Sequence, residues 1–399
     1  MKYLFIIQGE GRGHLTQAIS LSEILLKNGH EVVGALVGKS KDRVIPEFFY
    51  KKISTKVITY NSPNFVWNNN KTDVMFFKTV AHNITLNKFK EYFKSMDIIY
   101  DTINQTQADI VINFYELLAG LTKIKHNIDV PFISMAHQYL IMHSKYPFGK
   151  GLKEDLLYIK LNNWLSSYGS VQKLGLSFYD MDNDKRVSIV PPLLREELFS
   201  IEPKKEDYIL TYILSKGFAQ EITQWHYQNP EQKLHVFWDK EDAPEELVVD
   251  KTLTFHKIND TKFLKYLANC KAYVTTAGFE SVCEAMYLNK HIMMIPAHYE
   301  QEINALDAIS AGIGIQSKDF NISKILDKCK EKQSNNIEFR RWIESAEREY
   351  IFFLTEGYKR KSPNIKDRLF LRYKTELKNL NDIVYGNKFK KNWSSRYWS

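Results

Sequence analysis

Two stretches of the chain put chemically capable side chains at spacings that can bring them together. The first is Gly9-Glu10-Gly11-Arg12-Gly13-His14, directly after the apolar run KYLFIIQ. Alternating glycines let the backbone turn tightly and admit a ligand close to it, because no Cβ stands in the way. The turn ends in His14 at the start of a helix, where free N–H groups favour an anion or negative charge developing on oxygen. A histidine there can serve as general base near neutral pH when another group orients it. Glu10, inside the turn, and Glu116, after the run DIVINF, are candidate orienters, and His137, at the exit of VPFISMAH, converges on the same crevice. The convergence follows because ligand sites of open α/β sheets collect at the carboxyl ends of strands.

The second stretch is TTAGFESVCEAMYLNKHIMMIPAHYEQEINA, residues 275–305. Gly278 ends a strand, Ser281 falls in the first turn of the next helix, and Glu284 lies one turn on, so Ser281 and Glu284 share a face. A carboxylate in that place can accept both hydroxyls of a ribose while the helix N-terminus receives phosphate. After HIMMIP, Glu300, Gln301 and Asn304 stand at the following strand exit at helical spacing, a set of donors and acceptors suited to sugar hydroxyls. Ser281 as a helix cap and Glu284 as a solvated carboxylate would explain either residue alone, but not the array in order.

The elements that must position these groups alternate between strand and helix. KYLFIIQ, a helical pattern from Thr16 to Asn28 stopped by Gly29, and EVVGALV form a strand–helix–strand unit, expected to be parallel and right-handed. DIVINF, a helix over residues 117–126 and VPFISMAH continue a parallel α/β domain over residues 1–191. Pro191 and Pro192 cannot continue a ladder or a helix, and residues 192–206 read as a linker. The second half repeats the logic over residues 207–335, with strands DYILTYIL, KLHVFW, LTFHKI, AYVTTAG and HIMMIP. Residues 336–356 read as a helix closing that domain.

Two phosphate-binding readings of the first half fail on spacing. The dinucleotide fingerprint needs G-x-G-x-x-G and an acid about 20 residues on; the order here is G-x-G-x-G, and the second strand ends LVGKSK without an acid, which counts against NAD more than NADP, whose extra phosphate Lys39, Lys41 and Arg43 could face. GALVGKS has three residues between its glycines where a P-loop has four, and it is an ordinary strand exit.

The array from Gly278 to Asn304 resembles the donor-site signature of GT-B nucleotide-sugar glycosyltransferases, particularly the lineage of the UDP-glucuronosyltransferases and the MurG-like N-acetylglucosaminyl transferase of peptidoglycan synthesis. It is matched by Gly278, Ser281, Glu284-Ala285, Pro296, Glu300-Gln301 and Asn304-Ala305. GEGRGHLTQA is similar to that family's N-terminal loop ending in Gly-His, VPFISMAHQ to its acceptor-side strand exit, IVPPLLREEL to its linker strand, and LSKGF stands where its first donor-domain Gly loop does. The likeness covers about residues 1–330. It implies an α/β fold of two Rossmann-like domains facing a cleft, and inverting transfer from a nucleotide-sugar, UDP-linked by this lineage, without a metal or other cofactor. Carried over, Ser215, Gly217, Ile258, Thr276, Gly278, Ser281, Glu284, Glu300, Gln301 and Asn304 would meet the donor. Glu284 would hold the ribose, Ser281 with its helix the diphosphate, Ile258 the base, and Glu300 with Gln301 the sugar. His14, with Glu10 and Glu116, would supply the catalytic base, and Gly11, Gly13 and His137 the acceptor side. The same architecture also serves sugar-nucleotide epimerases and non-catalytic sugar-nucleotide binders.

Composition adds context. The chain has 399 residues, 44% of them hydrophobic, and a formal net charge of +8, as expected of a folded multidomain protein. Residues 357–399 alone carry twelve Lys or Arg against three Asp or Glu, interleaved with aromatics such as Tyr385, Trp393 and Trp398. That pattern suits an anionic membrane surface and suits equally a solvated tail or a helix packed on the body; nucleic acid ranks below both, with no accompanying motif. A sugar or lipid-linked acceptor fits the membrane reading. Three cysteines without a C-x-x-C pair fit reduced thiols. The N-terminal apolar run is too short for a secretory signal, and no run approaches the length of a bilayer span, so a cytoplasmic protein, peripheral at most, is expected.

Overall fold

The computed structural model describes residues 1–41, 43–63, 86–149, 153–204, 206–213, 217–240, 243–331 and 336–358. Two seven-stranded sheets organise the chain. The first contains β1 (Lys2–Gln8), β2 (Glu31–Lys39), β3 (Val57–Asn61), β4 (Ile110–Phe114), β5 (Phe132–Ala136), β6 (Gln172–Leu176) and β7 (Ser188–Val190). They lie in the order β3-β2-β1-β4-β5-β6-β7, every pairing parallel. Helices α1 (Gly13–Lys27), α2 (Glu47–Lys52), α3 (Leu86–Thr106), α4 (Leu117–Lys125) and α5 (Lys153–Ser166) flank it, with a 3-10 turn at His137–Met142. The central strands are uninterrupted apolar runs because helices cover both faces of a parallel sheet; in β1 Tyr3 through Ile7 are all fully buried.

The second sheet contains β8 (Ile209–Ile213), β9 (Leu234–Trp238), β10 (Glu246–Val248), β11 (Leu253–Lys257), β12 (Ala272–Thr275), β13 (His291–Met294) and β14 (Ile315–Gln316). Its order is β10-β11-β9-β8-β12-β13-β14, with β10 antiparallel at one edge and the rest parallel. Between the sheets lies the short α6 (Glu197–Ser200), and α7 (Phe218–Gln228), α8 (Asp260–Asn269), α9 (Phe279–Tyr287), α10 (Tyr299–Ser310) and α11 (Ser323–Lys328) flank the second sheet. Each sheet reverses its winding direction beside its first strand, at β1/β4 and at β8/β12. Ligand crevices open at such switch points, and the loops after β1, β4, β12 and β13 all emerge there.

The C-terminal segment departs from the sequence expectation of one helix closing the second domain. It breaks at Ser345 into α12 (Ile337–Glu344) and α13 (Ala346–Phe352), with a π-helical turn at Phe353–Gly357; α12 does close on the second domain, Arg340 Nε donating to the Tyr287 carbonyl at 3.1 Å, and the segment also reaches the first domain. Trp342 Nε1 donates to the Ser177 carbonyl at 2.9 Å, Tyr350 Oη to that of Pro191 at 2.8 Å, and Tyr3 Oη to that of Leu354 at 3.1 Å. These bonds tie the C-terminal segment to both ends of the first sheet, after β6 and β7 and at the start of β1. Between the domains Asp307, fully buried on α10, accepts from the hydroxyls of Tyr146 at 2.8 Å and Tyr179 at 2.9 Å. The basic, aromatic stretch from residue 359 onward lies outside the described residues.

Candidate active site

A cleft of about 720 Å³ separates the facing domains, a size typical of small-molecule sites. Glu10, Gly11, Gly13, His14 and His137 line it from the first domain; Ile258, Gly278, Ser281, Glu284, Glu300, Gln301 and Asn304 line it from the second. Glu116, Thr276 and Gly217 are not among the residues lining it, and Ser215 lies outside the described residues. Gly217 instead precedes α7 as its N-cap, and Thr276 is buried.

His14 is the second residue of α1 and is only 9% exposed. Burial pushes its pKa down to about 4, against the opposing hydrogen bond of Gln17, so the ring is neutral at physiological pH. Its Nδ1 lies 3.2 Å from Gln17 Oε1. An amide oxygen can only accept, so Nδ1 carries the proton and the lone pair is on Nε2. Gln17 is held in turn from the opposite domain, its Nε2 donating to the Glu280 carboxylate on α9.

The two carboxylates expected to orient His14 are engaged elsewhere. Glu10 accepts from the backbone and hydroxyl of Ser40 at the exit of β2. Glu116 is the N-cap of α4, accepting from Leu118 N at 3.1 Å and from the Ser62 hydroxyl at 2.6 Å. Burial raises its carboxyl to about 7 against those two bonds. A Glu before an apolar helix reads from sequence as a free acid, whereas the unpaired N–H groups of that helix claim it. His137 donates from Nδ1 to the Leu176 carbonyl at 2.8 Å, and its ring stacks on Phe279 of α9 with centroids 3.9 Å apart. It packs the domain seam, and burial lowers its pKa to about 4.

On the second-domain wall α9 begins at Gly278 with no side chain capping its first turn, so its N–H groups face the cleft mouth with their partial positive charge. Ser281 Oγ donates to the Gly278 carbonyl at 3.1 Å. The positive φ in this turn belongs to Ala277, at 63°, not to Gly278. Asn304 pins that strained residue by donating from Nδ2 to the Ala277 carbonyl at 3.1 Å. Asn289, in the turn before β13, also takes a left-handed φ of 54°, a conformation asparagine tolerates. Gln301 Oε1 accepts from Ala297 N at 2.9 Å and shapes the loop before α10. Glu300 accepts across the cleft from Gln138 Nε2 at 2.8 Å, and burial raises its carboxyl to about 6.

Glu284 has a partner the sequence reading did not supply. Arg195, from the interdomain segment, clamps it with Nε to Oε1 at 2.6 Å and Nη2 to Oε2 at 2.8 Å, and its Nη1 pairs with Asp260. Burial alone would disfavour the guanidinium charge, but Glu284 and Asp260 outweigh it and raise the pKa. A fork of this kind uses one lone pair on each carboxylate oxygen and leaves the others available. Gln17, Glu280 and Arg195 are therefore among the cleft residues the sequence reading missed. Gln17 stands three residues after His14, and the i, i+3 rule that joined Ser281 to Glu284 would have found it; Arg195 and Glu280 act across domains and leave no local signal.

With this geometry in view, the comparisons fall on one fold. Solved structures that superpose include CalG4, the calicheamicin glycosyltransferase, with 16% identity over 89% of this chain and 98% of that one and a TM-score of 0.56. Arabidopsis thaliana UGT89C1 complexed with UDP has 15% identity over 96% and 99% of the two chains and a TM-score of 0.56. Phytolacca americana UGT2 complexed with UDP-2fluoro-glucose and pterostilbene has 12% identity over 90% and 98% and a TM-score of 0.59. These likenesses show the GT-B fold of two facing parallel-sheet domains. No curated protein matches the sequence. The sequence does match glycosyl transferase family 1 over residues 1–330, which takes in both sheets and the whole cleft; the chain belongs to that family and is a glycosyltransferase.

Proposed function

We propose that the protein transfers a sugar from a UDP-linked donor to a hydroxyl acceptor with inversion at the anomeric carbon. The observation that carries this reading is the opposition of two walls. On one stands a neutral histidine whose Nε2 lone pair is free of the Gln17 bond; on the other, an uncapped helix start with a buried carboxylate one turn on. His14 Nε2 takes the acceptor proton as the acceptor oxygen attacks the anomeric carbon. The bond from that carbon to the diphosphate oxygen breaks, and UDP leaves with the electron pair. Attack and departure on opposite faces invert the centre. The leaving charge meets the N–H groups at the start of α9 and the Ser281 hydroxyl, where preorganised donors act most strongly. The lone pairs that Arg195 leaves on Glu284 accept the two ribose hydroxyls, Ile258 abuts the base, and Glu300 with Gln301 meets the sugar.

UDP as carrier is supported by the complexes of UGT89C1 and UGT2, which hold UDP and a UDP-sugar. The cationic excess of residues 357–399 supports an acceptor met at an anionic membrane surface, a lipid-linked sugar among the choices. Thermal shifts with UDP-, GDP- and dTDP-sugars, followed by turnover of whichever stabilise, test the reading. Ligand at about 100 times its Kd adds about 2.7 kcal/mol, so a UDP-sugar raises Tm by several degrees and is then consumed with release of UDP. Stabilisation by GDP-sugars alone refutes the UDP assignment, and exchange of the donor sugar C2 proton without transfer refutes transfer in favour of epimerisation.

A further inference from the structure

Glu280 sits in the first turn of α9, on the donor-side wall, yet its carboxylate is spent on the opposite wall. It accepts from Gln17 Nε2, and Gln17 Oε1 in turn accepts from His14 Nδ1 at 3.2 Å. The approach depends on the absence of a side chain at Gly13: a Cβ there would lie 2.2 Å from Glu280 Oε2 and 2.6 Å from its Cδ. Three residues from two domains therefore form one chain of hydrogen bonds ending on the ring expected to take the proton.

We propose that Glu280 is a positioning residue for the general base: through Gln17 it fixes the Nδ1–H tautomer of His14 and so keeps the Nε2 lone pair toward the acceptor. The inference rests on the reading of His14 as base. Its physical basis is the ambiguity of an amide. Gln17 can present either Oε1 or Nε2 to the imidazole, and a flipped amide would select the tautomer with the proton on Nε2, which cannot accept another. Burial raises the Glu280 carboxyl to about 7, against the Gln17 bond that lowers it; in its ionised form Glu280 forbids the flip, because the flip would turn Oε1 onto a carboxylate. When Nε2 takes the acceptor proton, the ring becomes a cation with Nδ1–H still donating to Gln17, and the Glu280 charge stabilises it through the amide. The proton later leaves Nε2 to solvent and restores the base. Since Glu280 belongs to the second domain, the base is set by a contact that joins the two walls.

The test is a nitrogen-detected NMR measurement of His14 in full-length protein labelled at the histidine ring, assigned by loss of its signals in His14→Ala. Wild type, Glu280→Gln and Glu280→Ala are compared, and the same proteins are assayed for UDP release from UDP-glucose and for UDP affinity by calorimetry. The isosteric Glu280→Gln guards against misfolding of the alanine variant, and unchanged thermal unfolding certifies it. The wild-type ring is expected as the Nδ1–H tautomer, with the Nε2–H form becoming prominent in both variants. Turnover should fall about tenfold, within the range that acid–base groups contribute, with UDP affinity held within about twofold. An unchanged tautomer in both variants, or weakened UDP affinity with unchanged kcat, overturns the inference. A shifted tautomer with wild-type kcat overturns instead the reading of His14 as base, so the two failures are distinguishable.

Discussion

The Arg195 clamp is the feature whose energetic weight can be worked out most fully. The Arg195 and Glu284 side chains are 7% and 4% exposed, and the guanidinium meets both carboxylate oxygens. Arg195→Met keeps the aliphatic stem and removes the charge. Asp260 retains Lys52 at 3.4 Å, so the group left stranded is Glu284. Breaking a buried pair from one side costs about 3–5 kcal/mol, whereas replacing both members by apolar residues is often neutral or stabilising. For a domain of about 150 residues each kcal/mol moves Tm by about 2–4 °C, which predicts a fall of about 6–20 °C for Arg195→Met. The double variant Arg195→Met/Glu284→Leu should recover to within about 1–2 kcal/mol of wild type, giving a coupling of about 2 kcal/mol or more in a double-mutant cycle. Urea unfolding followed by tryptophan fluorescence reads all four corners. A loss below about 1 kcal/mol for the single change, or simple additivity, would falsify the claim that Arg195 and Glu284 are coupled as a buried pair.

Other consequences are as direct. Because burial holds His14 near 4, the acid limb of the turnover–pH profile should lie well below the ordinary imidazole value of about 6.5; a limb at 6.5 or above would remove the buried neutral ring from the role of base. Burial raises the Asp307 carboxyl to about 7, against the two tyrosine hydroxyls that lower it. The folded state thus holds that proton more tightly than the unfolded chain, and the stability it brings is present below the ordinary carboxylate pKa and lost as pH rises through about 7. Asp307→Asn should flatten that decline by about 1–3 kcal/mol between about pH 4 and pH 8; an unaltered slope would contradict the shift. Gly13→Ala should cost less than about 1 kcal/mol of stability, because only the far end of Glu280 must move, yet reduce turnover about as much as Glu280→Gln. Wild-type turnover in a folded Gly13→Ala protein would show that the close contact has no role.

The parts of the fold that were legible in the sequence are those decided by local patterning. KYLFIIQ, DIVINF and VPFISMAH are buried on both faces, so their apolar runs are unbroken and their exits locate the crevice. β3 at the sheet edge shows one buried residue among five, and its mixed pattern gave no strand signal. The return of α12 and α13 to the first domain was invisible because nothing within residues 337–352 encodes a partner some 160 residues away, such as the Ser177 and Pro191 carbonyls. Twelve of the expected site residues meet in the cleft because they follow the carboxyl ends of strands in the two facing sheets. Glu10 and Glu116 meet partners other than His14 for the same reason that Gln17 and Glu280 were overlooked. Sequence gives the position of a carboxylate along the chain, and its partner is settled by which N–H or amide the tertiary fold delivers.

The central claim is a division of labour, with donor binding on the second-domain wall and deprotonation on the first. UDP affinity and UDP-sugar turnover, measured side by side on His14→Ala and Glu284→Ala, test it most directly. His14→Ala should bind UDP within about twofold of wild type while turnover falls by about 10²–10⁴. Glu284→Ala should lose about 1.5–3 kcal/mol of UDP affinity, the worth of hydrogen bonds to a charged acceptor. Undiminished UDP binding by Glu284→Ala, or undiminished turnover by His14→Ala, would contradict the account.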